Sequence, residues 1–430
     1  MLEIRDPFHG FIAVSSEENL ILRHPFFSRL RFIKQLGFTE FSFPGASHSR
    51  FIHSLGTCHL VSKAFDVIFK NAPCDEVFKK KLKKTVRLAG LLHDIGHGPL
   101  SHVAEVVMPP LSELNMSDIS SEFAEDRQAS HEDFSLKFIL QSDFTKIINE
   151  NFECDAIHVA CLINKNLNPK NDFFIYEGID YRPILSQLVS SELDMDRMDY
   201  LQRDAYYCGT KYGEFEFEWI LNRLTWHQHE GAVYLALDHK ALYSFDDYLL
   251  SRQNMYLMVY CHHRSVIYDE MLRRYFAEDE TPFVLPAKLE EYHKCTDFWL
   301  YQILAKSKNV WAQRISTQTE FAKVKEWHSA FLNSAEPKAE ATKAEKILKD
   351  NNITYIRSHS KMKMSNYYNV EVKNSEIFYP IFIKSKKNAE VKAVPIEECT
   401  DIFQKYAQSR YMIRLYVDPK DKLEAQKILK

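Results

Sequence analysis

Leu88-Ala89-Gly90-Leu91-Leu92-His93-Asp94-Ile95-Gly96-His97-Gly98-Pro99-Leu100-Ser101-His102 is the stretch on which the reading of this chain turns. An apolar run delivers His93 and Asp94 as neighbours, and Gly96, Gly98 and Pro99 then break the helix. Adjacent helical residues point about 100° apart, so such a pair grips one metal only near a helix end or with further ligands arriving from the side. An imidazole with a carboxylate suits a divalent ion such as Mn, Fe, Mg, Zn or Ni. His97 and His102 follow within one or two turns. Three histidines and an aspartate within ten residues, with Gly-Pro among them, do not form a regular polar helix face. The stretch reads as a metal site.

Composition bounds what that site serves. The 430 residues, 45% apolar and 27% charged, describe an ordinary globular chain long enough for two or three domains. Thirty Phe and 22 Tyr favour bulky cores and pockets able to stack on a flat ligand. Only 11 glycines are present, in neither a GxGxxG nor a GxxxxGK[ST] pattern, so bound phosphates must be held by side chains and metal. A net charge of −4 draws the chain toward neither nucleic acid nor membrane. The eight cysteines are scattered without a C-x-x-C pair, which reads as reduced thiols and not as a disulfide framework or zinc knuckle. The N-terminus shows no basic-then-apolar signal and no apolar run approaches a membrane span, so the expected location is cytoplasmic.

Taken in order, residues 1 to 14 read as a strand or turn around Asp6-Pro7-Phe8-His9-Gly10, and residues 18 to 36 as an amphipathic helical stretch. The loop Phe43 to Arg50 leads into a helix from about Phe51 to Asn71, with His53 in its first turn. Lys79-Lys80-Lys81-Leu82-Lys83-Lys84 reads as a solvated helix face before the central stretch. Residues 109 to 130 look like an exposed polar loop, after which His131-Glu132-Asp133 opens a helix. From Ser191 to Tyr207, Asp196, Asp199, Tyr200, Arg203 and Asp204 recur at helical spacing as one polar stripe. A hairpin is expected over 217 to 238, turning near Glu230-Gly231, then one long helix from about Asp246 to Phe276. A linker or surface helix spans about 333 to 350. Short alternating runs then follow at Ile353 to Ile356, Tyr367 to Val372, Ile377 to Ile383 and Tyr411 to Val417, suggesting a small α+β region.

A single ion on His93 and Asp94 needs one or two more ligands, and His53 and Asp196 are the best candidates by residue type and context. Two imidazoles with two carboxylates leave positions open for water and substrate oxygens. Such an ion lowers the pKa of bound water and polarises a phosphoryl oxygen. His97, His102 and His131 suit proton donation to a leaving oxygen, or act as cations on phosphate. Arg50, Arg197 and Arg252 suit neutralisation of several phosphates.

His53, His93-Asp94 and Asp196 match the H…HD…D signature of HD-domain phosphohydrolases. The likeness extends to Asp6-Pro7-x-His9-Gly10, to Arg29-Leu30-Arg31-x-Ile33-Lys34-Gln35-Leu36-Gly37, to Phe43-Pro44-Gly45-Ala46-Ser47-His48-x-Arg50-Phe51-x-His53-Ser54-Leu55-Gly56 and to His93-Asp94-x-Gly96-His97-Gly98-Pro99-x-Ser101-His102. Over roughly residues 3 to 275 the chain resembles the deoxynucleotide triphosphohydrolase branch of that family. The resemblance implies a mainly α fold, with an HD-domain helical core over residues 1–335. The composition shift and the alternating runs make residues 336–430 a small C-terminal α+β region of regulatory or assembly role. The resemblance also implies hydrolysis of a dNTP to deoxynucleoside and triphosphate. In that reading Gln35 and Asp204 hold the sugar 3′-hydroxyl, while Leu36, Tyr200 and Tyr260 wall the sugar against a 2′-hydroxyl. Arg50, His102, Arg197 and Arg252 meet the phosphates, and His97 with His131 supports protonation. The implied cofactor is one divalent ion, with room for a second Mg travelling with the triphosphate. The implied partners are the dNTP, a nucleotide activator and further copies of the chain in a dimer or tetramer, with no membrane or nucleic acid.

The chain departs from the animal branch of that family at three places. Arg197 replaces a lysine, Met255-Tyr256-Leu257 stand where a His-Arg pair is found, and Arg23 stands where an acidic residue reads an activating guanine nucleotide. The competing reading is an HD-type phosphatase or phosphodiesterase acting on another nucleotide or phosphate ester. Nuclease or nucleic-acid binding, prompted by Lys79 to Lys84 and Lys384 to Lys387, is a second alternative. A metal-bound structural or sensor protein without turnover is a third.

Overall fold

The computed structural model describes residues 2–278, 283–329, 335–362, 377–387, 390–400, 402 and 410–430. Among these the chain is mainly helical. Its centre is helix α1 (Arg50–Phe69), which buries residues all the way round, Phe51, Leu55, Leu60, Val61, Phe65 and Ile68 among them. Against it lies the amphipathic helix α2 (Glu76–Leu92), started by the Asp75 side chain, which accepts the Phe78 N–H. The inner face of α2 carries Leu82, Val86 and Ala89, and its lysines face outward. Lys79 pairs with Glu76, Lys80 and Lys84 with Glu153, and Lys83 with Asp66. Lys81 lies over the Phe78 and Phe173 rings, so the basic run is a largely paired helix face.

Three further helices complete the frame of the site: α3 (His131–Leu140), α4 (Met195–Cys208) and α5 (Leu242–Met255). Helix α4 crosses α1 at Gly56, where a Cβ would stand 2.0 Å from Asp199 Oδ1 and 2.4 Å from Arg203 Nη2. Only glycine lets a buried ion pair come this close to the α1 backbone. Gly96 does the same for the His93–His102 turn, since a Cβ there would meet the His131 carbonyl oxygen at 2.0 Å.

Strands β1 (Leu2–Asp6) and β2 (Gly10–Val14) form the N-terminal antiparallel hairpin. A mixed sheet has the order β10-β9-β6-β4-β3, from β3 (Ile175–Tyr176), β4 (Ile179–Asp180), β6 (Ala232–Asp238), β9 (Phe382–Lys387) and β10 (Glu390–Pro395). Strand β5 (Leu224–His229) is the hairpin partner of β6, and the turn falls at Glu230-Gly231, both with positive φ. A three-stranded antiparallel sheet, β7-β11-β8, comprises β7 (Ala322–His328), β8 (Tyr355–Met362) and β11 (Arg410–Val417). It carries helix α8 (Ala335–Asp350) and the C-terminal helix α9 (Lys422–Ile428). This second unit has its own small core of Trp327, Ala341, Ala344, Leu348, Ile413, Leu415 and Ala425. Its first strand thus precedes residue 335, the division expected from composition, while β9 pairs with β6 of the first unit. No helix among the described residues is long and apolar enough to cross a membrane.

Several local expectations need correction. Residues 18 to 36 are not one helix: Ser16–Arg23 is helical, His24 is extended, and short turns at Pro25–Ser28 and Arg29–Phe32 follow. Pro25 disfavours helical backbone at His24, and buried Arg29 donates instead to the carbonyls of Ile95 and His97. The long helix expected over 246 to 276 is two, α5 and α6 (His263–Glu278), joined through a π-helical turn at Tyr256–Tyr260. Such turns re-aim side chains, here the Tyr260 hydroxyl onto Asp204. Residues 109 to 130 form short turns whose Leu111, Leu114, Met116 and Phe123 are buried, so the segment is packed and not a free loop. The run Tyr367 to Val372 lies outside the described residues.

Candidate active site

Helix α2 ends where the sequence pattern places its end, so His93 caps it and Asp94 stands in the following turn. The His93 Nδ1–H donates to the Gly90 carbonyl at 2.9 Å, which leaves Nε2 as the free lone pair. His53, one turn into α1, is fully buried. Its Nδ1 lies 2.9 Å from Asp199 Oδ2, and because a carboxylate accepts, this nitrogen carries the proton and Nε2 is again the free lone pair. Both Nε2 atoms are buried without a hydrogen-bond partner. They face two carboxylates. His53 Nε2 lies 3.0 Å from Asp196 Oδ1 and 3.6 Å from Asp94 Oδ2; His93 Nε2 lies 3.5 Å from Asp196 Oδ1 and 3.5 Å from Asp94 Oδ1.

This donor set fits a divalent ion. Ligand atoms about 3 Å apart are the edges of a coordination shell with bonds of about 2.1 Å. His53, His93 and Asp94 converge closely enough to hold one ion, with Asp196 alongside. The electrostatics agree. Burial alone would depress the His53 imidazole, but Asp196 and Asp199 outweigh it and raise its pKa to about 10. Against the opposing effect of burial, His53 and His93 hold Asp196, and His93 and Arg50 hold Asp94, below the usual carboxylate range. The pocket favours positive charge, which a proton or a metal ion can supply.

Behind His53 stands a buried network that the motif reading passed over. Asp199 accepts from Arg203 at 2.7 and 2.9 Å and meets His9 Nε2 at 2.6 Å; Arg203 also reaches Asp6 at 2.8 Å. The tip of the N-terminal hairpin thereby fixes the ring of His53. The signal was available, since Asp199 lies on the polar stripe of α4, but that stripe does not say which of its members turn inward.

The other three histidines form a second group beside the first. The His97 ring stacks on His131 at 3.8 Å, and His102 meets both edge-on at 4.7 and 5.1 Å. Glu105 Oε1 joins His102 Nδ1 at 2.8 Å and His131 Nδ1 at 2.5 Å. Burial opposes ionisation of Glu105, yet these two hydrogen bonds hold it well below the usual range. His97 lies 3.3 Å from Asp94, and burial, followed by Arg50 and His131, keeps it far below the imidazole range. It is the least suited of the three to carry a proton. The His102 side chain is 67% exposed, at the rim of the group.

On the other side, Asp204 Oδ1 meets His48 Nε2 at 2.7 Å and Oδ2 accepts the Tyr260 hydroxyl at 2.8 Å. The Gln35 N–H donates to the His48 carbonyl at 3.0 Å, so His48, which the motif reading left without a role, joins Gln35 to Asp204. Gln35 Oε1 is buried without a partner, and Leu36 beside it is half-buried. The Tyr200 ring lies between His53, at 6.4 Å, and Tyr260, at 6.3 Å. The three expected phosphate arginines all have protein partners. Arg50 is buried, donating to Ser101 Oγ at 2.9 Å and to Asp94. Arg197 pairs with Asp194, and Arg252 with Glu192 at 2.8 Å.

Residues 50–204 match the family model described as the HD domain. Among characterised relatives, the chain is 30% identical over 293 residues to the deoxynucleoside triphosphate triphosphohydrolase SAMHD1 homolog of Dictyostelium discoideum, covering 67% of this chain and 51% of that one. It is 27% identical over 285 residues to human SAMHD1, covering 63% and 44%. It is also 34% identical over 264 residues to the uncharacterized protein YwfO of Bacillus subtilis, covering 60% and 51%. The chain spans about half the length of the curated relatives it matches. A hypothetical protein from Aquifex aeolicus shares the fold over 100% of both chains, with a TM-score of 0.75 at 23% identity. A phosphohydrolase from Bacteroides thetaiotaomicron does so over 97% of this chain and 99% of that one, with a TM-score of 0.67 at 24% identity. The matched segment contains His53, His93, Asp94 and Asp196, the residues whose donor atoms meet in the pocket; residues 50–204 of this chain are an HD domain.

Proposed function

We propose that the chain is a metal-dependent deoxynucleoside triphosphate triphosphohydrolase, converting a dNTP and water to a deoxynucleoside and triphosphate. The observation that carries this reading is the meeting of two bare imidazole nitrogens and two carboxylates between an exposed histidine donor and a tyrosine-walled acceptor, Asp204. A bound divalent ion, whether Mn, Mg, Fe, Zn or Ni, supplies positive charge for a phosphoryl oxygen and acidifies water. The ligands would be His53, His93, Asp94 and Asp196. Gly90 and Asp199 fix the orientation of the two imidazoles.

The chain's other groups supply binding and proton transfer. His102 gives a proton to the departing 5′ oxygen, and Glu105 holds it and His131 in place. Asp204 and Gln35 receive the 3′-hydroxyl, and the Tyr200 and Tyr260 rings with Leu36 leave a 2′-hydroxyl no partner. Arg197 and Arg252 exchange their carboxylates for phosphate oxygens, and Arg50 neutralises Asp94. Oligomeric assembly, a nucleotide activator, a second Mg with the triphosphate and a regulatory or assembly role for the C-terminal region belong to the same proposal.

A second reading, an HD-type phosphatase or phosphodiesterase on a smaller phosphate ester, is favoured by one observation: Arg197 and Arg252 are both already paired with carboxylates. Anion-exchange analysis of the products separates the two. Each dNTP and NTP is incubated with Mn or Mg, alone and in pairs. Triphosphate from dNTPs and not from NTPs supports the first reading. Monophosphate or phosphate as product supports the second.

A further inference from the structure

Helix α7 (Asp297–Lys306) lies beyond the segment that matches the HD domain and contributes a buried carboxylate to the active-site walls. Thr296 already caps α7 by accepting the Trp299 N–H, so Asp297 is not needed as a cap. Its carboxylate turns away from its own helix. Oδ2 accepts the Lys34 N–H at 2.9 Å, and Oδ1 accepts the Leu100 N–H at 2.7 Å. Lys34 immediately precedes Gln35 and Leu36, and Leu100 lies two residues before His102.

These two segments, far apart in the chain, pack directly against each other: a Cβ at Gly37 would stand 3.0 Å from the Leu100 carbonyl oxygen. Leu100 and Ser101 both hold left-handed backbone, with φ of 56° and 63°, a strained state for residues with a Cβ that persists only where surrounding bonds enforce it. The bonds continue inward. Ser101 Oγ donates to the Lys34 carbonyl at 2.7 Å and accepts the Arg50 Nε–H at 2.9 Å, and Arg50 in turn grips Asp94. A connected path therefore runs from Asp297 through Lys34, Ser101 and Arg50 to a candidate metal ligand. Burial pushes the Asp297 carboxyl up to about 6, so placing a carboxylate here carries a desolvation cost that α7 itself does not require.

We propose that Asp297 is a positioning residue that clamps the Lys34–Leu36 segment to the Leu100–His102 turn, setting the span between the sugar-binding side and the proton donor. The role assigned to each wall rests on the reading under Proposed function; the clamp itself does not.

Asp297→Asn keeps the shape but places an N–H₂ where one oxygen accepted, so one clip is lost. In the full-length chain, amide hydrogen exchange at Lys34 or Leu100 should accelerate about 10-fold or more, with melting temperature and bound Mn unchanged. For whichever phosphoester the wild type turns over, a dNTP or bis(p-nitrophenyl) phosphate with Mn, kcat/KM should fall about 10-fold or more. With a dNTP, discrimination against the NTP should narrow as well. A purely structural residue would instead lower the melting temperature without a local exchange signature. If Asp297→Asn does not fold, Asp297→Ala, which removes both acceptors without placing a donor against the two amides, should give the same local and kinetic signature. Wild-type exchange at both amides in a folded variant overturns the clamp, as does faster exchange with unchanged kcat and KM. If the wild type releases no triphosphate from any dNTP, the substrate reading fails while the exchange experiment still decides the clamp.

Discussion

Two groups of histidines stand side by side in this molecule and have been treated in opposite ways. In the inner group, His53 and His93 each spend one ring nitrogen on the protein, on Asp199 and on Gly90, and keep the other bare and buried opposite Asp94 and Asp196. In the outer group, His102 and His131 turn the same kind of nitrogen onto one shared carboxylate, Glu105, and His102 reaches solvent. A bare buried nitrogen is expensive unless something positive meets it, whereas a carboxylate-held imidazole at the rim can lose and regain a proton. Residue type is the same in both groups; hydrogen bonding and burial divide their work.

The sharpest way to break this division is Asp196→Ala. It should remove bound metal, read by elemental analysis after dialysis, and lower turnover by at least about 10³-fold. Retained metal would move Asp196 out of the inner group. His102→Ala should keep the metal and slow turnover about 10²-fold; loss of metal would erase the distinction between the groups. Asp199→Asn, which weakens the hold on the His53 ring without touching the pocket, should reduce metal affinity by about 10-fold or more, read by competition with a chelator. Unchanged affinity would mean that α1 alone orients the ring.

The smallest effect is expected at Glu105→Gln, about 10-fold on turnover with metal retained. This substitution also has a pH signature. The folded state holds the Glu105 carboxyl below its ordinary 4.5, so its contribution to stability is present above that pH and is lost as pH falls toward the folded value. The melting temperature of Glu105→Gln should therefore lie below wild type at neutral pH, with the gap closing in acid. A gap independent of pH would show that Glu105 acts through packing.

Much of the frame was legible beforehand. The end of α2 at His93, the start of α3 at His131, the hairpin turn at Glu230-Gly231 and the placement of the lysines on a helix face follow from periodicity, caps and turn residues. What misled was also local. Residues 246 to 276 contain neither glycine nor proline, so no breaker marks the π-helical turn and the stretch reads as one helix. The partners of the functional groups were not legible. Glu105 follows His102 by one turn and so lies within its reach by spacing alone, but His131 meets it only through the fold. Nothing in the residues around His48 shows that its ring holds Asp204.

By itself the amino-acid sequence determined the helical frame, the adjacent His93-Asp94 pair at a helix end and the histidine-rich turn after it, because caps, breakers and helical spacing act within a few residues. Tertiary structure alone decided that Arg50 grips Asp94 in place of open solvent, that Asp199, Arg203 and the hairpin tip lock His53, and that Asp297 bridges two loops from far along the chain. A carboxylate chooses its partners by which donors are buried with it, and burial is a property of the packed molecule, not of spacing along the chain.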